Sequence, residues 1–195
     1  MIEVSDKIMC KENSNRCAWV NLDNPLYVKY HDEEWGVPLY DDKKIYELLI
    51  LESFQAGLSW ECVLNKRESF RDAFDNFDID RIIAYDDTKI EELMANSAII
   101  RNRLKIKATV RNSAVFKSIQ TEFGSFSNYI RSFSNGEIVR EEYTLRTTSP
   151  LSDSVSKDLK KRGMTFVGST IIYSFLQAIG VINGHSSSCM LYCER

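Results

Sequence analysis

The chain is poor in residues that break helices, with three prolines and eight glycines among 195 residues. Little of it is therefore committed to turns, and no alternating apolar–polar run is long enough to nominate a sheet. It lacks an apolar run of the roughly 20 residues that spans a bilayer. Met1 to Asn15 is acidic and polar, without the apolar stretch of a secretory signal. Its five cysteines are odd in number and lack framework spacing, which fits a reducing cytoplasm better than a disulfide scaffold. The net charge of −3 offers no overall attraction to nucleic acid. Histidine is scarcest of all, with two residues, His31 and His185.

What is present is a helical pattern almost throughout. Asp41 or Asp42 can cap a helix that puts Ile45, Leu48, Leu49 and Glu52 on one face. Ser59 opens another through Trp60, Val63, Leu64 and Phe70, and further helices are expected over 78–84, 88–94, 100–119 and 126–133. A polar connector, 134–149, follows. The expectation is an all-α protein: a loose extension over residues 1–15, then one unit, 16–195, of two closely packed helical lobes, acting as a monomer. At this length one well-buried core is affordable.

Each histidine lies near a cysteine: Cys17 with His31, and His185 with Cys189. Two thiolates and two imidazoles make a closed tetrahedral set for zinc, with no position left for substrate, so such a metal is structural and ties the chain ends together. The spacings are not diagnostic. The plainer reading is unpaired thiols in a reduced core with two ordinary histidines, and Cys10, Cys62 and Cys193 are also available, Cys193 as a substitute for Cys189.

Charge is unevenly distributed. Between Arg101 and Arg111 lie five cations and no acid, and Lys157, Lys160, Lys161 and Arg162 form a second basic group. Either can face a phosphate backbone, or lie on a solvated helix face paired to nearby acids. The second group leads into Gly163 and Gly168, five residues apart, before an apolar helix over 169–178. That arrangement suits a helix–hairpin–helix, which presents backbone N–H groups and a helix start to a phosphate. The simpler alternative is an αα-corner with a glycine cap.

Glu52 ends the apolar run 48–51, so a carboxylate stands where core is expected. A buried carboxylate is paired, neutralised or functional. Trp19, Tyr27, Tyr30, Trp35 and Trp60 crowd the same part of the chain, which suits a flat cationic ligand, although aromatic clusters are commonly core.

Taken together, Arg16-Cys-Ala-Trp19, Pro25-Leu-Tyr27, Tyr30-His-Asp-Glu-Glu-Trp-Gly-Val-Pro38, Leu51-Glu-Ser-Phe-Gln-Ala-Gly-Leu-Ser-Trp60, Lys160-Lys-Arg-Gly-Met-Thr-Phe-Val-Gly168, Tyr173-Ser-Phe-Leu-Gln-Ala178 and the His185–Cys189 tail resemble the bacterial DNA-3-methyladenine glycosylase I family, in that family's order. The resemblance covers about residues 16 to 189. It implies the helix–hairpin–helix glycosylase fold, with one structural zinc on Cys17, His31, His185 and Cys189. It implies that Glu52 and Tyr30 hydrogen-bond the methylated adenine, that Trp60 stacks on it, and that Tyr27, Trp19 and Trp35 complete the pocket. The turn Gln55–Leu58, with Gln55, Gly57 and Leu58, would probe the gap left by an extruded nucleotide, while Lys161, Arg162, Gly163 and Gly168 hold the backbone. The implied activity is base-excision repair of alkylated double-stranded DNA by hydrolytic release of 3-methyladenine.

The chain departs from the family at Ser53-Phe54, beside Glu52, where an altered pocket rim is expected, and in one extra residue between Trp19 and Pro25. Many helix–hairpin–helix glycosylases carry an aspartate after the hairpin; here no Asp follows Asp158, the only later acid is Glu194, and no Lys follows Lys161. The expectation is a monofunctional enzyme confined to labile lesions. The competing reading is a zinc-stabilised helical DNA-binding module without catalysis.

Overall fold

A computed structural model describes residues 15–141 and 146–192. The expected loose extension before Asn15, and with it Cys10, lies outside the described residues, as does Cys193.

Helix follows helix because each start is signalled locally. Asn24 caps α1 (Pro25–Lys29), with Pro25 fitted to its first turn. Asp41 caps α2 (Asp42–Gln55), and Ser59 caps α3 (Trp60–Leu64). Then come α4 (Arg67–Ala73), α5 (Ile79–Ile83) behind Asp78, α6 (Asp87–Ala95) behind Asp86 and α7 (Arg103–Phe123) behind Asn102. Ser125 caps α8 (Phe126–Ser132). The connector after it holds β1 (Val139–Arg140), before α9 (Pro150–Lys161), α10 (Ser169–Ala178) and β2 (Ile182–Asn183).

The organising element is α2, whose residues from Ile45 to Phe54 are all buried. A helix apolar on every side must be enclosed, and α3, α7, α8 and α10 pack around it. Burial extends even to Glu47, which Arg67 and Arg71 neutralise through hydrogen-bonded ion pairs. Phe54, Phe70 and Phe74 continue the core on one side, and stacked Phe116 and Phe126 on another.

The all-α expectation holds, with three local differences. The helix expected from Ser59 to Phe70 breaks at Asn65–Lys66, where Lys66 (φ −104°, ψ 2°) leaves helical geometry. Asn65 there accepts a hydrogen bond from Asn24, and the break swings Arg67 onto Glu34 and Glu47. A parallel bridge, Val139 opposite Ile182 and Arg140 opposite Asn183, ties the connector to the C-terminal segment. Two residues per strand are too few to show alternation. The 101–111 run does not form one free basic face: Arg103 pairs with Glu91, Lys107 with Asp87, and Lys105 turns inward.

Between α9 and α10 the chain makes a Schellman-type stop. Gly163 (φ +104°) donates to Lys160, and Met164 to Leu159. Both readings of this segment therefore apply: a glycine cap and a hairpin. Gly168 then starts α10 with no side chain capping its first turn.

Candidate functional site

Glu52 projects from α2 into an interior lined by aromatics. It is 3% exposed, and its Oε2 has no hydrogen-bond partner. With nothing to stabilise a charge, burial pushes the carboxyl up to about 8. The cavity it faces has a volume of about 210 Å³ and is lined by Trp19, Tyr27, Tyr30, Trp35, Gln55 and Trp60, with Ser174 and Gln177 from α10. The structure thus brings together all six pocket residues expected from sequence. Tyr30 and Trp60 lie 5.2 Å apart between ring centroids, Trp19 and Tyr27 5.3 Å, and Trp19 and Trp35 4.8 Å. Burial, then the neighbouring Glu52, pushes the Tyr30 phenol well above its ordinary range.

Ser174 and Gln177 were missed by sequence reasoning. Their signal was present: two polar residues three apart interrupt an otherwise strongly apolar helix. Gly184 makes room for one of them, since a Cβ there would stand 2.2 Å from Gln177 Nε2. The expected change of the rim by Ser53 and Phe54 does not occur. Ser53 satisfies its hydroxyl on the Leu49 carbonyl, Phe54 is enclosed beside Phe70, and neither lines the cavity. A larger groove, about 600 Å³, runs past Glu34, Glu47, Arg67 and Arg71, but those charges already neutralise one another.

Tyr30 and His31 enter adjacent sites because they occupy a π-helical turn, Tyr30–Glu34, closed by Trp35 N–H on the Tyr30 carbonyl at 2.8 Å. Both are buried, Tyr30 beside the cavity and His31 in a cluster with Cys17, His185 and Cys189. Donor atoms of these four buried residues all lie within 4.8 Å of one another. Cys189 Sγ is 3.5 Å from His31 Nε2 and 3.4 Å from His185 Nδ1, and Cys17 Sγ is 3.6 Å from His185 Nδ1. Contact between the two sulfurs lowers the Cys189 thiol and raises that of Cys17, as when one proton is shared. Asp32 accepts from His31 Nδ1 at 2.8 Å and is clamped by Arg16, leaving Nε2 facing the cluster. The donor set can hold a metal ion. Its imidazoles also back the cavity: the Trp35 ring is 4.6 Å from His185 and stacks on His31 at 6.1 Å. Met190 N–H donates to the Asn15 carbonyl at 2.9 Å, tying the first described residue to the C-terminal segment.

Beyond the cavity, Gln55–Leu58 forms a type II turn, with Leu58 N–H on the Gln55 carbonyl at 2.7 Å, Ala56 at φ −47°, ψ 112° and Gly57 at φ +83°. Leu58, at its end, is 43% exposed. At the hairpin, Arg162 is drawn into ion pairs with Glu122 and Asp158. Arg111 lies against Gly163 instead, its guanidinium 3.5 Å from where a Cβ would stand.

Residues 19–192 match the methyladenine glycosylase family model. The DNA-3-methyladenine glycosylase 1 of Escherichia coli (strain K12) is 44% identical over 181 residues, spanning 91% of this chain and 96% of that protein. The DNA-3-methyladenine glycosylase of Haemophilus influenzae is 41% identical, over 90% and 97%. A crystal structure of 3-methyladenine DNA glycosylase I superposes with a TM-score of 0.86 at 44% identity, covering 90% of this chain and 98% of that one. The Staphylococcus aureus 3-methyladenine DNA glycosylase I, solved for its recognition of 3-methyladenine, superposes at 0.85 with 36% identity, over 90% and 95%. With the aromatic cavity, the buried carboxylate and the paired Cys/His cluster in place, this chain belongs to the methyladenine glycosylase family.

Proposed function

We propose that this protein is a monofunctional DNA glycosylase that flips 3-methyladenine out of alkylated duplex DNA and releases it by hydrolysis. The observation that carries the reading is Glu52, a buried carboxyl with an unpartnered oxygen in a cavity walled by aromatic rings. Isolated burial of that kind opposes folding, and a cationic base with N–H donors supplies what the site lacks.

A base inside a duplex cannot enter such a cavity, and extruding it costs a few kcal/mol. Stacking on Trp60 returns about 1–3 kcal/mol. Methylation at N3 gives adenine a positive charge and weakens the glycosidic bond without enzymatic protonation. Glu52 then accepts a hydrogen bond from the exocyclic amine and attracts the charged ring, while Tyr30 orients it. Tyr27, Trp19 and Trp35 close the pocket and exclude solvent. As the C1′–N bond breaks, water supplies hydroxide to C1′, its proton goes to solvent, and neutral 3-methyladenine departs. An undamaged adenine costs at least as much to flip and gains less from Glu52.

On the DNA side, Gln55, Gly57 and Leu58 fill the vacated gap, supported by the exposure of Leu58. Lys161, Arg162, Gly163, Gly168 and the uncapped start of α10 face the backbone phosphates. The ion pairs of Arg162 favour a share of that role for Arg111. The donor set of Cys17, His31, His185 and Cys189 fits one zinc ion, which when bound holds the two chain ends together. Residues 16–195 then act as one monomeric unit. Two thiols that must stay reduced support a cytoplasmic setting, and no helix of the described residues is long and apolar enough to cross a membrane.

The test is chromatography of bases released from methylated duplex DNA by wild type and Glu52→Ala. The expected result is 3-methyladenine without 7-methylguanine, strongly reduced in the variant. Normal DNA affinity with no base released would establish a binding module instead.

A further inference from the structure

Helix α7 carries four buried polar side chains, and two of them, Lys105 and Asn112, stand seven residues apart and hence on one face two turns along. Lys105 is 6% exposed, and its Nζ donates to the carbonyls of Phe54 at 2.8 Å and Ala56 at 2.6 Å. Those carbonyls belong to the last turn of α2 and to the Gln55–Leu58 turn. The same ammonium lies 6.0 Å from the centroid of the Phe166 ring, inside the hairpin. Asn112, 1% exposed, grips the hairpin backbone twice: Nδ2 donates to the Thr165 carbonyl and Oδ1 accepts from the Thr165 N–H, both at 2.9 Å. The next residue, Phe166, is held at φ +56°, a conformation that non-glycine residues rarely adopt.

Lysine is a costly side chain to bury, and an apolar residue would fill the space without desolvating a charge. What an ammonium adds is a fixed grip on carbonyls at a helix C-terminus, where the backbone groups are otherwise orphaned and the dipole is negative. One 21-residue helix therefore holds the turn that carries Leu58 and the hairpin that carries Gly163 to Gly168. We propose that Lys105 is a positioning residue that locks the Gln55–Leu58 turn in register with the 162–168 hairpin, so that the segment entering the base stack and the segment on the phosphates act as one rigid body. The proposal rests on the glycosylase reading. Lys105 itself does not line the base cavity; of the turn it holds, only Gln55 does.

The experiment pairs two measurements on the full chain: kcat/KM for base release from methylated duplex DNA, and the Kd of free 3-methyladenine by titration calorimetry. Lys105→Met is expected to lower kcat/KM by about 10–100-fold, the scale of a misplacement near 1 Å, while the free-base Kd stays within about threefold. Lys105→Arg, which keeps a cation for the same carbonyls, is expected to recover part of the loss. Equal losses in both measurements would reduce Lys105 to a support of the fold and overturn the proposal, as would unchanged duplex excision. Wild type that releases no base would overturn the glycosylase reading and the proposal with it. Should Lys105→Met not fold, Lys105→Gln retains an N–H donor and is judged by the same two readings.

Discussion

Replacing Glu52 by glutamine should make the protein more stable from neutral pH upward, and increasingly so as pH rises. Burial moves this carboxyl from its usual 4.5 to about 8, so between those values the folded protein keeps a proton that the unfolded chain has lost. A state that binds more protons loses stability as pH rises, by about 1.4 kcal/mol per pH unit for one group. The penalty is small at pH 5, grows through neutrality and levels off above pH 8, at roughly 5 kcal/mol. Glutamine does not titrate, so Glu52→Gln escapes it. The amide still sits where Oε2 finds no partner, and an unsatisfied buried donor costs about 1–3 kcal/mol at every pH. The advantage of the variant over wild type is therefore expected to be near zero or negative at pH 5 and to rise by roughly 4 kcal/mol by pH 9. Urea unfolding of both proteins at pH 5, 7 and 9, with shared slopes, measures it. A difference that stays flat with pH would mean that Glu52 is already ionised in the folded protein, and the account of its burial would be wrong.

Four further outcomes follow from the structure. If the carboxylate is the form that recognises the cationic base, kcat/KM for 3-methyladenine release should climb about tenfold per pH unit below about 8 and then level; a flat profile from pH 6 to 8 would assign recognition to the neutral acid. If the Cys17, His31, His185 and Cys189 set holds a metal ion, its verified removal should lower the melting temperature by about 10–20 °C, and Asp32→Ala should weaken metal affinity by about 10–100-fold by releasing His31. Gly180→Ala should destabilise by more than about 2 kcal/mol in thermal unfolding, because its Cβ would lie 2.5 Å from the backbone of Val37 and Pro38 at a φ of +66°.

The helices were legible because capping residues and apolar spacing are local signals: Asp41, one of the two caps expected there, and Ser59 open α2 and α3. Glu52 was legible because a carboxylate following four apolar residues is conspicuous wherever the helix goes. Cys17, His31, His185 and Cys189 were each visible, but their convergence depends on the whole chain returning to its start, which no spacing encodes. Ser174 and Gln177 escaped notice because polar residues in an apolar helix look like interruptions until a cavity appears beside them. Lys105 was misread for the opposite reason. Its neighbours Arg103 and Lys107 do reach outward, and the sequence holds no mark of the carbonyls that await a cation between them.

The three tryptophans of the chain, Trp19, Trp35 and Trp60, all line the same cavity. The protein therefore carries its own optical reporter. Its indole emission comes wholly from the walls of the base site, and a base sliding between those rings should quench or shift it without any label. Entry of a base into this cavity would then make each capture event visible, in real time, as a change in the light the protein emits.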